Sequence, residues 1–177
     1  NLLVSSLFKD GLRNVAKGIL TTDLVEKSYS TSFRVGENTV TLSGIAKGSG
    51  MIRPDMATML SFIVSDINAS SEELQDCLTI AVNQSFNRIT VDGDTSTNDA
   101  CTLSATNKSD VQLKDCKNEF QLALNELTKE LALMIVREGE GATKFVEVKV
   151  GGLDSNKDCL EVAYTVAHSP LVKTALF

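Results

Sequence analysis

The sequence predicts an α/β protein: a layered sandwich of mixed or antiparallel sheet with helices packed on it. Three observations predict it. Two β-branched runs near the start of the chain flank a glycine-bearing turn, which is a hairpin pattern. Two long helical patterns occupy the middle. The last third alternates apolar and polar residues, the period of strands that pair antiparallel.

Taken in order, Leu12, Val15, Ala16 and Ile19 give a weak helical spacing. Ser32-Phe33-Arg34-Val35 and Thr39-Val40-Thr41-Leu42 are the hairpin strands, with Gly36-Glu37-Asn38 as a three-residue turn. A glycine-rich stretch from Gly44 to Pro54 then leads into a buried strand expected from Thr58 to Val64. Ser70 and Glu73 read as a capping box, in which each side chain satisfies the other's backbone N–H. Leu74, Leu78, Val82 and Phe86 follow at every fourth residue. A second helix is expected from about Lys117 to Glu138, with Phe120, Leu124, Leu127, Leu131, Met134 and Ile135 on one face and Gly139 as its stop. Val146, Val148 and Val150 share a face, as do Leu160, Val162, Tyr164 and Val166. These two runs are expected to form a hairpin across Gly151 to Asp158, with His168 solvated at the strand end.

The chain has 177 residues, 42% apolar and 23% charged, the balance of an ordinary soluble domain. Its net charge of −6 speaks against nucleic acid, which needs a basic stripe, and against a polybasic membrane binder. The longest apolar run, Leu131 to Val136, is far short of the ~20 residues that span a bilayer. Cys77, Cys101, Cys116 and Cys159 include no Cys-x-x-Cys pair, so no zinc pattern is present, and they are too sparse for a disulfide scaffold. They are expected to be reduced, mostly buried thiols. One histidine leaves little room for a histidine-based triad. The chain begins at Asn1 and ends at Phe177 after an apolar run, which is expected of an internal piece of a longer protein.

Three segments carry the candidate chemistry. In Lys47-Gly48-Ser49-Gly50 the lysine precedes the glycines and a proline and strand follow, which is the wrong order for a phosphate loop. The same segment leads to Ala57-Thr58. A β-hydroxyl can attack the preceding carbonyl, and water then cleaves the resulting ester. The new chain begins with Thr58, whose own α-amine, with an ordinary pKa of about 7.7–8, can serve as base for its hydroxyl. A threonine opening a strand can equally be structural. Asp92, Asp94, Ser96 and Asn98 alternate like calcium ligands, but Thr97 and Leu103 stand where an EF-hand needs Gly and Glu. Side-chain-to-backbone hydrogen bonding in a tight loop fits them better. Glycines flank Glu140 and allow close backbone approach, so this carboxylate can meet a cationic group, or belong to an ordinary helix end.

These stretches, with Ile19-Leu20-Thr21-Thr22-Asp23, Ala46 to Ile52, Met56 to Leu60, Thr90 to Asp99, Glu138 to Lys144 and Ser169 to Ala175, occur in the order found in the ornithine acetyltransferase family, also called bifunctional glutamate N-acetyltransferase, of arginine biosynthesis. The sequence resembles that family over nearly its whole length. The resemblance implies an autoprocessing enzyme of the N-terminal-nucleophile kind, with residues 1–57 ending one chain and residues 58–177 beginning the next. Thr58 would take acetyl from N-acetylornithine and pass it to glutamate in a ping-pong cycle. Some members also use acetyl-CoA. Thr21 (or Thr22, since the register is open), Lys47, Thr58 and Glu140 would contact substrate, Lys47 suiting an α-carboxylate and Glu140 the ornithine amine.

No metal or organic cofactor is implied. The family's oxyanion-hole donors sit on a Thr-Gly motif upstream of this stretch, and further substrate residues lie beyond its end, so the piece is expected to be catalytically incomplete. His168 stands where the family commonly has arginine. The family assembles as two α and two β chains, in bacterial cytosol or, for fungi, the mitochondrial matrix. A self-cleaving amidase or aminopeptidase using the same Thr58, and a non-catalytic α/β domain, are the alternatives.

Overall fold

The structure is a computed structural model that describes residues 11–50, 52, 59–94 and 99–176. Its elements are α1 (Leu12–Gly18), β1 (Lys27–Val35), β2 (Asn38–Lys47), β3 (Leu60–Ser65), α2 (Ser71–Gln84), β4 (Ala100–Ala105), α3 (Lys117–Arg137), α4 (Asn156–Ala167) and α5 (Pro170–Leu176), with short 3₁₀ turns at Phe86–Arg88 and Leu113–Asp115. The strands form one sheet in the order β1-β2-β3-β4. The first two pairings are antiparallel and β3–β4 is parallel, so the sheet is mixed as the sequence predicts.

The hairpin turn is one residue shorter than the sequence reading. Asn38 pairs with Val35, which leaves Gly36-Glu37 as the turn. Gly36 has φ +61°, the left-handed conformation that lets a two-residue turn follow the twist of its strands. β3 is buried on one face only: Ser61, Ile63 and Ser65 point inward, while Phe62 and Val64 are 39% and 43% exposed. Ile45 of β2, the ladder partner of Phe62, is 1% exposed, so the outward face is open at β3 and closed at β2.

Helix α2 starts as expected. Ser70 accepts from the Glu73 N–H and the Glu73 carboxylate accepts from the Ser70 N–H. Helix α3 lies across β1 and β2 and beside α2. Phe120, Leu124, Leu127, Leu131 and Ile135 are fully buried, joining Val40, Leu42 and Ile63 of the sheet in one core. The closest approach is at Gly44 of β2. A Cβ there would lie 2.9 Å from a Leu127 methyl, 3.1 Å from a Leu131 methyl and 3.3 Å from Ile63. Glycine thus lets the helix seat directly on the strand. α3 ends at Arg137 with Glu138 as its cap. Gly139 is wedged against Val91, 3.1 Å from where its Cβ would be, so its role is close approach.

The tail departs from the sequence reading. Residues 142–150 form no ladder with another strand among the described residues, and residues 156–167 are helix α4, not a second hairpin strand. The physical reason is that two periods coexist there. Leu160, Val162, Tyr164 and Val166 alternate, but Cys159, Leu160, Ala163, Tyr164 and Ala167 form a helical stripe lining a groove beside residues 141–150. Ser155 decides between them by accepting the Asp158 N–H as an N-cap at 3.1 Å. Val162 and Val166 are left 43% and 37% exposed. His168 accordingly caps a helix, half-buried and stacked on Tyr164.

The four cysteines are free, Cys77 and Cys116 buried and the other two half-buried. Burial raises the pKa of Cys77 and Cys116 and pushes Cys101 up to about 11, which keeps these thiols protonated and unreactive.

The Gly44 contact yields a stability prediction. Gly44→Val should cost about 1–3 kcal/mol by overpacking the sheet against α3. A lower urea midpoint with an unchanged m-value would register it.

Candidate active site

Three segments converge beyond the end of β2. The first is the loop Thr21-Thr22-Asp23, and Asp23 is its anchor. Its carboxylate is buried against Lys27, with Nζ at 2.6 Å from Oδ1 and both side chains at most 1% exposed. The same oxygen accepts the Gly48 N–H at 2.7 Å, and Oδ2 accepts the Thr21 N–H at 3.5 Å. One carboxylate therefore joins the start of β1, the Thr-Thr loop and the end of β2. Burial alone raises the Asp23 pKa, but the Lys27 and Gly48 hydrogen bonds, the Lys27 charge and the Thr21 N–H outweigh it, and the net direction is down.

The second segment is Lys47-Gly48-Ser49-Gly50 with Ile52. Lys47 and Ser49 are buried. Ser49 bridges the two flanking segments: its hydroxyl lies 2.6 Å from that of Thr22, and its carbonyl accepts the Glu140 N–H at 2.7 Å. Gly50 faces two acids. A Cβ there would sit 3.1 Å from Glu140 Oε2 and 3.8 Å from Asp92 Oδ2.

The third segment, residues 90–94 and Asp99, fastens Ile52 and Met59. Asp92 Oδ1 accepts the Ile52 N–H at 3.0 Å and the Asp94 N–H at 3.1 Å, the side-chain-to-backbone pattern expected of this loop. The Ile52 carbonyl accepts the Val91 N–H at 2.9 Å and the Thr90 hydroxyl at 3.0 Å. Since Thr90 has spent its proton on Ile52, its oxygen is the acceptor for His168 Nε2 at 3.0 Å. Helix α5 adds the Lys173 ammonium, which donates to the Val91 carbonyl at 3.1 Å. Asp99 Oδ1 accepts the Met59 N–H at 2.8 Å. Burial pushes the Asp99 carboxyl up to about 6, against the Met59 N–H and the Lys47 charge, which pull it down.

Lys47 and Glu140 thus lie on segments joined through Ser49. Of the two threonines, Thr22 makes the side-chain contact with that segment, whereas Thr21 contributes its backbone N–H. Ala57 and Thr58 lie outside the described residues. Residues that motif reading passed over are Asp23, Lys27, Ser49 and Asp99. Asp23 ends the Thr-Thr-Asp stretch and Asp99 ends the Asp-rich loop, so both stood in segments already singled out. Nothing local signalled Lys27. Among the described residues no group of three His, Cys, Asp or Glu side chains could hold a metal ion.

A buried Lys47 on a segment joined through Ser49 to the exposed Glu140 can bind a small ligand carrying both charges. The sequence model of the ArgJ family matches residues 2–177. The chain belongs to the ArgJ family. It is similar to the arginine biosynthesis bifunctional protein ArgJ of Pseudomonas syringae pv. tomato, with 48% identity over 98% of this chain and 44% of that one. It is 47% identical to the glutamate N-acetyltransferase of Methanocaldococcus jannaschii over 98% of this chain and 44% of that protein. The crystal structure of ArgJ from Bacillus halodurans superposes with a TM-score of 0.57 at 39% identity, covering 66% of this chain and 56% of that one. The chain spans less than half the length of these curated ArgJ relatives.

Removing one partner of the buried pair tests the anchor that holds these ArgJ segments. Lys27→Met leaves Asp23 buried without its cation and should cost about 3–5 kcal/mol. Because the folded-state pKa of Asp23 is lowered, its stabilisation is present above the ordinary carboxylate pKa and is lost as pH falls through the folded value. Urea midpoints followed from neutral pH into the carboxylate range should therefore fall less steeply in the variant than in the wild type.

Proposed function

We propose that the complete enzyme transfers acetyl from N-acetylornithine to glutamate in arginine biosynthesis. It does so through an acetyl-Thr58 ester, after cutting itself between Ala57 and Thr58. The observation that carries the reading is the ArgJ family match over residues 2–177, which includes the Ala57-Thr58 step. Relatives named glutamate N-acetyltransferase and bifunctional ArgJ support the acetyl-transfer class. The convergence of Thr22, Lys47 and Glu140 through Ser49 supports a substrate site there.

In this reading the Thr58 hydroxyl attacks the acetyl carbonyl and gives its proton to the Thr58 α-amine. The C–N bond to ornithine breaks, and the leaving amine takes that proton. Glutamate reverses the sequence and carries acetyl away. Lys47 pairs with the α-carboxylate that both substrates share. Glu140, held by its N–H on the Ser49 carbonyl, faces the ornithine side-chain amine. Acetyl-CoA is a second donor in the bifunctional form. The reading includes a heterotetramer of two α and two β chains, with the oxyanion-hole donors supplied from sequence outside these 177 residues, in bacterial cytosol or mitochondrial matrix.

Thr58→Ala in the complete enzyme should abolish both the split at 57/58 and acetyl transfer. Electrophoresis shows the first and ornithine release the second. Ornithine release from acetylornithine should require glutamate. Release indifferent to glutamate would make the protein a hydrolase, and a wild-type chain that stays whole yet transfers acetyl would overturn the mechanism.

A further inference from the structure

Val91 is held by groups from three separate segments. Its N–H donates to the Ile52 carbonyl at 2.9 Å. Its side chain is wedged against Gly139, where a Cβ would lie 3.1 Å from one Val91 methyl and 3.2 Å from the other. Its carbonyl accepts from the Lys173 ammonium of helix α5 at 3.1 Å. The first contact leads to the glycine loop, and the second leads to Glu140, the residue after Gly139. The third arrives from a helix that supplies no other group to the candidate site.

Packing does not account for the Lys173 contact. Neither α4 nor α5 has a buried residue, and Leu171 of α5 is 82% exposed. Polar contacts hold this pair of helices on the loop instead. In α4 the Tyr164 hydroxyl donates to the Asn87 carbonyl at 2.5 Å, and His168, the cap of that helix, reaches Thr90 at 3.0 Å. Lys173 is half-buried and makes no ion pair among the described residues; its charge is directed at a neutral carbonyl. Water can satisfy a half-buried carbonyl, so the ammonium is not needed for that. What it adds is position, because a charge-assisted hydrogen bond is roughly twice as strong as a neutral one.

Lys47 and Glu140 differ in how firmly they are fixed. Lys47 sits in the β2 ladder opposite Leu60, and the N–H of the next residue donates to Asp23. Glu140 lies past the end of α3. Its main chain is held by its own N–H on the Ser49 carbonyl at 2.7 Å and by Gly139 against Val91. We infer that Lys173 is a positioning residue: by clamping the Val91 carbonyl it keeps the Val91 side chain against Gly139, and so sets where Glu140 stands beside Gly50. This rests on the reading in which Glu140 faces the side-chain amine of acetylornithine. Glutamate has no side-chain amine, so Lys173 acts on use of the donor and not of the acceptor.

A ratio of two rate constants reads this out. In a ping-pong cycle kcat/KM for acetylornithine reports the half-reaction that loads acetyl, and kcat/KM for glutamate the half-reaction that removes it. Loss of folded enzyme lowers both equally and leaves their ratio unchanged. In the complete enzyme Lys173→Met keeps the stem and removes the donor. Its acetylornithine-to-glutamate ratio should fall about tenfold. An unchanged ratio overturns the inference, even where both values fall together. Val91→Ala removes the wedge, keeps the Lys173 bond and should lower the ratio too. An unchanged ratio there overturns the route through Val91 and the inference with it, and this variant decides the matter if Lys173→Met does not fold. Glu140→Gln separates the inference from its parent reading and should lower the ratio by more than Lys173→Met does. If Glu140→Gln leaves the ratio unchanged, Glu140 does not face the donor's amine, and both fall. If Glu140→Gln lowers it and Lys173→Met does not, the Lys173 assignment fails alone.

Discussion

The Leu127 and Leu131 methyls of helix α3 rest on Gly44 of β2, where the strand has no side chain, and this contact sets the spacing of everything downstream on both elements. Along β2 the strand continues from Gly44 to Lys47 and into the glycine loop. Along α3 the helix continues past Leu131 to Arg137 and then to Glu140. Because both elements are rigid, fixing them at one point brings their ends together. The Glu140 N–H then meets the Ser49 carbonyl at 2.7 Å. A helix held farther from the strand by a methyl group would carry Glu140 away from that carbonyl.

The candidate site is held by three carboxylates, buried at Asp23, half-buried at Asp99 and exposed at Asp92, each tying main chain from different parts of the fold. Asp23 ties the Thr-Thr loop to the end of β2, Asp92 ties the glycine loop to its own turn, and Asp99 ties the head of β3 to β4. They differ in charge compensation. Asp23 has a lysine at 2.6 Å, and its pKa moves down. Asp99 has one oxygen without a partner among the described residues, and its pKa moves up. The same residue type is a lock in one place and a responsive group in the other, according to what surrounds it.

Much of the fold was legible because its signals are local. The Ser70–Glu73 capping box, the α3 stripe and the Gly36 turn each depend on residues within a few positions of one another. The tail was misread because alternation and helical spacing overlap from Cys159 to Ala167, and the Ser155 cap that chooses between them is one residue in a polar link. In the site, Lys47, Glu140 and the threonine loop were found through their motif context. The partnership of Asp23 with Lys27 was not, since a lysine four residues past an aspartate is common on any surface, and only the fold buries it. Asp99 was hidden for a similar reason: its partner Met59 lies forty positions away.

The mixed sheet carries a consequence for the order of assembly. β1, β2 and β3 close through antiparallel pairings between neighbours in sequence, whereas β3 and β4 are parallel, and the chain must make α2 and return before they meet. Closing that long crossover costs more chain entropy than the hairpin turn, and it brings no ladder bonds until it is complete. The Met59–Asp99 hydrogen bond sits at the mouth of this last ladder. Met59 is therefore gripped from the β4 side only when the slowest pairing has formed, so the backbone beside it gains its final geometry after the rest of the sheet exists. Whatever chemistry depends on that geometry is timed by the completion of folding.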